Sequence, residues 1–395
     1  FRSVKGRSTP AFMQEYFNLV FSQCGVLLDE PNVDAIKHLR QVLFVSYKLE
    51  LPYSDTDKSA VVSKFVNVEL EVQASSSDEH DADILQLCQI ITGKVFKGFD
   101  PLDIIPRHGP GAVATGEKLD AKWTFARKYL AIHRVYPYYH YMVAGGAREL
   151  IDRLDWYHSL EVHESGTAKV VLVPKDSRGP RLISCEPLEY MWLQQGLGRK
   201  LVAWLEDNYP TAGSINFTRQ DINQHYALAA SRSQRFSTLD LSDASDRVSL
   251  RTVNEVFNRL PRLVRCLEAL RSTATTLPDG TVVPLSKFAP MGSALCFPIE
   301  AYIFWVLIVA AIIRQSHLPL EKVGKEVLVY GDDIIVPTEW ASLSIQTLES
   351  FGLKVNRSKS CITGYFRESC GVDAFKGIDV TPLRLKHQWT GRHTD

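Results

Sequence analysis

The chain has 395 residues, 45% of them apolar and 23% charged, with 45 basic side chains against 45 acidic ones. This is the composition of a soluble globular protein, long enough for one large domain or two or three subdomains around a substantial core. Zero net charge counts against a general nucleic-acid binder, which carries a basic excess, but not against one whose positive charge is local. The seven cysteines, Cys24, Cys88, Cys185, Cys266, Cys296, Cys361 and Cys370, are scattered and form no C-x-x-C pair. They argue for reduced thiols in a cytoplasmic compartment, and against a disulfide framework or a zinc site.

Residues 11 to 50 carry helical periodicity. "EVQASSSDEHDAD" (71 to 83) is polar and acidic and reads as a solvated loop, a short linker or a helix start, followed by a helix in "ILQLCQIITGKVFKGF". "PRHGPGAVATGE" (106 to 117) is a loop by its glycine and proline content. From about 165 the texture changes. "TAKVVLVPKDSRGPRLISCEP" reads as strand, basic turn, strand, and "LEYMWLQQGLGRKLVAWLEDN" as a helix. "RFSTLDLSDASDRVSL" reads as a strand running into a loop and helix. "TVNEVFNRLPRLVRCLEALRS" is helical apart from Pro261, and Asp279-Gly280 marks a hairpin turn. The apolar run Ala301 to Ile313 has thirteen residues, too few to span a bilayer, and predicts a buried core helix. "VLVYGDDIIVPT" (327 to 338) is a second hairpin, and "ASLSIQTLESFGLKVN" a helix stopped by Gly352. The fold class is α+β, an antiparallel sheet covered by helices on one face. No signal peptide is visible, and a first residue Phe1 suggests an internal piece of a longer chain.

The second hairpin poses a chemical question. Its tip, Gly331, Asp332 and Asp333, is expected to form the tight connection, with a third carboxylate, Asp240, ending the strand in "RFSTLDL". Asp and Gly are common in plain turns. Three converging carboxylates, however, repel by roughly 4 kcal/mol per close pair at moderate dielectric. A hard divalent cation answers that repulsion, and two such ions about 3.5–4 Å apart serve in-line phosphoryl displacement. That chemistry needs a cationic cradle. "VPKDSRGPRLI" offers Lys175, Arg178 and Arg181 on a stiff turn, which taken alone also reads as a solvated hairpin tip.

Taken in order, "PKDSRGPR", "DLSDASD", "MGSALCFPIEA", "YGDD", "FRESCG" and "GIDVTP" resemble the RNA-dependent RNA polymerase, the replicase catalytic subunit, of the single-stranded RNA bacteriophages (the leviviruses). The resemblance runs from about residue 165 to 385; before that "HGPGA" is the main hint. It implies a right hand of fingers, palm and thumb. Residues 1–164 would be the amino-terminal region and fingers, 165–235 the fingers with the basic hairpin, 236–365 the palm, and 366–395 the palm–thumb hairpin and start of the thumb. It implies template-directed RNA synthesis with two magnesium ions, or manganese in their place, held by Asp240 and Asp332 with Asp333 in support. Lys175, Arg178 and Arg181 would hold the triphosphate, and Met291, Gly292 and Ser293 the template and ribose.

Two positions depart from the usual polymerase pattern. Ser245, followed by Asp246, stands where many polymerases sense the ribose 2′-hydroxyl, and Cys296 and Glu300 replace a threonine and an asparagine. Asp246 and Ser293 are the candidate ribose readers. Of Lys354 and Lys359, the family pattern favours Lys359 as general acid for pyrophosphate. Cys370 is read as packing, and Tyr330 as either core filling or a contact with the growing strand. Arg384, Lys386 and Arg392 would track RNA or lie in a frayed end. The partners implied are an RNA template and product, ribonucleoside triphosphates, host translation elongation factors and a ribosomal protein, in the cytoplasm of a bacterial cell with no membrane. The rival readings are a reverse transcriptase-like polymerase and a non-catalytic RNA-binding subunit.

Overall fold

The computed structural model describes residues 8–75, 79–143 and 147–386. Its central element is the helix Cys296–Ser316, buried along nearly its whole length from Cys296 to Ile312. At 21 residues it is long and apolar enough to cross a bilayer, so the thirteen-residue length argument fails. Its burial marks it instead as a core helix: it is apolar on all sides because protein surrounds it on all sides. The helices Ala82–Val95 and Ala341–Ser350 pack along it.

Against this core lies a three-stranded antiparallel sheet. Asp333–Pro337 is its middle strand, between Phe236–Leu239 and Leu328–Tyr330. Leu239 pairs with Ile334 and Tyr330 with Asp333. The tip of the aspartate hairpin is therefore the two residues Gly331 and Asp332, and Asp333 already belongs to the strand, which corrects the three-residue turn expected above. Gly331 has φ +60° and a Cβ there would sit 2.1 Å from the Phe297 ring, so the turn requires glycine. The segment from Lys354 to Cys361 runs beside the first strand through the bridges Thr238–Cys361 and Leu241–Val355.

A second sheet carries the basic hairpin. Thr167–Asp176 and Gly179–Cys185 pair antiparallel, with the strands Ala274–Thr276 and Val282–Pro284 added beside the first of them. The Asp279-Gly280 turn joins the latter two as expected. Pro261 does not interrupt a helix; it opens one, Pro261–Ala269, at the position where its missing N–H costs nothing. Residues 11 to 50 are less helical than their periodicity predicts, with only Gln14–Asn18 and Val33–Phe44 helical and a Phe21–Leu27 bridge between them. The helix Asp55–Ala74 has no one-sided apolar stripe, but a reciprocal Ser54–Asp57 capping box fixes its start. It takes in the first residues of the stretch read as a polar loop.

The two ends of the described chain meet. Ala35, Ile36 and Leu39 form a small core with Phe375 and Val380, and Arg40 pairs with Asp373 at 2.5 Å. Arg384 joins Asp373 at 3.1 Å and Lys386 reaches Glu50 at 3.8 Å, so these two cations are tied to protein carboxylates rather than frayed. Arg392 lies outside the described residues. All seven cysteines are free thiols.

Candidate active site

The pairing of Leu239 with Ile334 brings Asp240, Asp332 and Asp333 to one end of the three-stranded sheet. Asp240 is locked by its backbone: its carbonyl accepts from Asn356 N–H at 2.8 Å and its N–H donates to Ser360 Oγ at 3.1 Å. Its side chain is 17% exposed, and Oδ2 is buried without a hydrogen-bond partner. A buried carboxylate oxygen left unpaired is costly unless a cation answers it. Lys359 Nζ approaches the other oxygen, Oδ1, at 3.3 Å. Lys354 serves through its backbone instead, its carbonyl accepting from Ser242 N–H at 2.8 Å.

Asp332 is open to solvent at the turn tip, yet the protein around it is dense enough to push its carboxyl pKa upward by desolvation. The Asp240 charge adds to the rise, while Lys359 and Arg181 oppose it. Asp333 is pushed up to about 7, by burial first and then by Glu368 and Asp332. One of its oxygens, Oδ2, accepts from the Cys370 backbone N–H at 3.1 Å. The hairpin Phe366–Ser369/Val372–Phe375 thus buttresses Asp333, and Cys370 contributes its backbone at φ 49°. Among the described residues no three His, Cys, Asp or Glu side chains form a metal cage. The donor set fits a magnesium-type ion, which takes one or two carboxylates and completes its shell with water and phosphate oxygens. Asp240, through its unpaired oxygen, and Asp332 would hold it.

The basic hairpin faces this end of the sheet. The pKa of Lys175 is lowered by burial, and the charges of Arg181, Arg178 and Lys359 press it further down. These cations crowd together, as an anion-binding cradle requires. They are not equivalent. Arg178 is held by the buried Asp176 at 2.8 Å and lies over the Tyr47 ring, 4.7 Å from its centroid. Tyr53 fastens the same turn: its hydroxyl donates to Asp176 O at 3.0 Å and accepts from Lys175 N–H at 3.1 Å. Arg181 is exposed and close enough to Asp332 to lower its pKa.

Gly292 has φ +127°, and a Cβ there would fall 2.1 Å from the carbonyl oxygen of Ser184. This close approach lets Ser184 N–H donate to Met291 O at 2.8 Å, joining the 291–293 loop to the basic hairpin. Ser293 is buried, its hydroxyl donating to Gln194 Oε1 at 3.1 Å and accepting from Leu295 N–H at 3.3 Å. Of the two candidate ribose readers, Asp246 keeps the more open polar group, at 23% exposure beside Lys287. Glu300 is buried, and its carboxyl pKa is raised well above the usual range by burial, then by the charges of Asp332 and Asp246. Tyr330 is half-buried; its hydroxyl accepts from Gln220 Nε2 at 3.0 Å and its ring meets Phe297 edge-on.

Sequence reasoning missed Glu368, whose charge bears on Asp333 and Lys359, and whose own pKa is raised by burial and then by Asp373 and Asp240. It also missed Lys287 and Tyr47. "FRESCG" carries the acid in plain sight, but only the tertiary fold turns it toward the aspartates.

The model of the RNA replicase beta-chain family matches residues 65–391. The RNA-directed RNA polymerase subunit beta of Qbeta virus (strain MX1) is 37% identical over 224 residues, 56% of this chain and 36% of that protein. That of Enterobacteria phage SP is 39% identical over 228 residues, 58% of this chain and 38% of that protein. The RNA-directed RNA polymerase beta chain of Enterobacteria phage GA is 27% identical over 382 residues, 90% of this chain and 67% of its own length. The first two matches thus span little more than a third of the relatives' length. With more than half of its length under the family model, this chain belongs to the RNA replicase beta-chain family.

Proposed function

We propose that this chain carries the polymerising part of an RNA-directed RNA polymerase, extending an RNA strand on an RNA template from ribonucleoside triphosphates. The observation behind this reading is one cluster of opposite charges. Asp240 and Asp332 stand at the end of one sheet, Lys359 and Arg181 stand within electrostatic reach of them, and Lys175 stands beside those two cations. Acid and base so placed suit a nucleoside triphosphate with its metal.

Two magnesium ions, with manganese as substitute, would be held by Asp240 and Asp332, with Asp333 in support; when bound they supply charge stabilisation for phosphoryl transfer and activate the attacking 3′-hydroxyl. Arg181 and Lys175 bind the β- and γ-phosphates, with Arg178 holding the turn they stand on. Lys359 has a raised pKa: burial pulls it down, and the charge and hydrogen bond of Asp240, joined by Glu368, more than offset that pull. It is placed to give its proton to the departing pyrophosphate. Asp246 lies at the sugar end of the site, and Gly292 and Ser293 shape the loop beside it. Residues 1–164 and 165–235 take the place of amino-terminal region and fingers, 236–365 of palm, and 366–395 of the start of a thumb, in a piece of a longer chain. The template is a phage genome copied in the bacterial cytoplasm, with host elongation factors and a ribosomal protein as partners.

The test is RNA-primed extension on an RNA template with magnesium and four ribonucleoside triphosphates, with Asp332→Asn and Asp240→Asn beside the parent. Extension by the parent alone is expected. Near-normal extension by Asp332→Asn would sink the assignment. Preference for deoxyribonucleotides would point to a reverse transcriptase.

A further inference from the structure

Lys287 is wholly buried, in the loop between the strand Val282–Pro284 and the core helix. Its Nζ lies 3.1 Å from Asp246 Oδ1 and 3.4 Å from Glu69 Oε2, and 3.7 Å from the centre of the Phe65 ring. A buried ammonium is costly unless fully answered, and here two carboxylates and an aromatic face answer it. Its backbone is fixed as firmly. Arg271 donates to the carbonyls of Leu285, Lys287 and Phe288 at 2.8, 2.9 and 3.0 Å. Ser286 O accepts from Leu250 N–H at 2.9 Å, and Phe288 N–H donates to Val248 O at 2.7 Å. The other oxygen of Glu69 accepts from Ser286 N–H. The ammonium is thus a fixed point beside the loop that follows Asp240.

That loop is braced along its length by one helix, Asp55–Ala74. Lys64 meets Asp243 at 2.5 Å, Glu71 meets Arg247 at 2.6 Å, and Glu69 reaches Asp246 through Lys287. Asp246 keeps an exposed edge, 23% of its side chain, while one oxygen is tied to Lys287. It lies within electrostatic reach of Glu300, which in turn senses Asp332. A carboxylate with one oxygen anchored and an edge free, next to the nucleotide end of the site, can accept a hydrogen bond from a sugar hydroxyl with little loss of side-chain freedom.

We propose that Lys287 is a positioning residue for sugar selection, fixing the Asp246 carboxylate that reads the ribose 2′-hydroxyl of the incoming nucleotide. This rests on the polymerase reading above. A plain staple between helix and loop would instead lower incorporation of every nucleotide alike.

The test measures kcat/KM for a ribonucleotide and for its 2′-deoxy counterpart on one RNA primer–template, using the full chain supplied with bacterial extract. The variants are Asp246→Asn, Lys287→Met and their double. The ribose-to-deoxyribose ratio is expected to fall roughly tenfold or more in each single variant, and no further in the double. If Lys287→Met does not fold, Lys287→Gln keeps a donor without the charge, and its ratio is expected to fall about threefold or more. Equal losses for both sugars in a folded Lys287 variant overturn the proposal, as does an unchanged ratio in Asp246→Asn. A parent that incorporates neither nucleotide overturns the polymerase reading itself, a result distinct from either of those.

Discussion

Lys359 Nζ stands 3.3 Å from Asp240 Oδ1, so the lysine read as proton donor is paired with the aspartate read as metal anchor. The Lys359 side chain is 53% exposed, so little packing holds it against Asp240. Arginine at 359 would keep the pairing but hold its proton too firmly to give it up. Lys359→Arg and Lys359→Met are both expected to slow single-turnover extension by about a hundredfold or more if the proton is transferred in the slow step. A near-parent rate in Lys359→Arg alone would reduce the residue to a counter-charge.

Arg181 and Arg178 occupy the same hairpin, but among the described residues only Arg178 is already engaged, by Asp176 and Tyr47. Arg181→Ala is expected to raise the KM for ribonucleoside triphosphates by about tenfold, the loss of one charged hydrogen bond. Arg178→Ala is expected to act chiefly by loosening the turn, lowering Tm with a smaller change in KM. Nucleotide titrations and melting curves on the two variants check this order.

Gly292 and Gly280 both have positive φ, but only Gly292 is pressed against a backbone oxygen. Gly280→Ala is expected to cost about 1–2 kcal/mol, the strain of a left-handed residue with open space around it. Gly292→Ala must in addition push the 291–293 loop off Ser184, and is expected to cost more than ~3 kcal/mol or to prevent folding. Denaturant melts of the two variants measure the difference.

Glu186 is buried and its carboxyl is pushed up to about 7, by desolvation against the pull of Ser272, Gln194 and Arg271. An unfolded glutamate releases its proton near pH ~4.3. Between there and about 7 the folded state keeps a proton that the unfolded state has lost, so stability falls as pH rises through that window. Glu186→Gln should melt a few degrees above the parent at pH 8 and together with it at pH 5. Parallel Tm–pH curves for parent and variant would refute the assignment.

Asp240 and Asp332 were legible because each sits in a local pattern, a strand end and a glycine turn, whereas Lys359, in a turn beyond a helix, was singled out over Lys354 only by the family pattern. The register was less legible. Whether Asp333 belongs to the turn or the strand depends on pairing with Tyr330, which a single hairpin reading does not fix. The helix Asp55–Ala74 lacked a one-sided apolar stripe because it buries Glu69 among Phe65, Val68 and Val72 to reach Lys287. Its readable mark was the cap at Ser54. Residues 19 to 32 carried apolar spacing that the chain spends on a bridge and turns. Glu368 acquires its role from Asp333 and Asp240, and Lys287 from Asp246 and Glu69, on other elements of the fold, in contacts without a local signature.

The core helix Cys296–Ser316 also sets an order of events during synthesis. One of its covers, the helix Ala341–Ser350, lies further along the chain. At ~5–20 residues per second, the ribosome leaves that side of a membrane-grade apolar helix bare for some seconds. In that interval the nascent chain competes between waiting for its own cover and sticking to any greasy surface nearby. Growth temperature and translation speed are therefore expected to change how much of the chain folds, independently of what the finished site does.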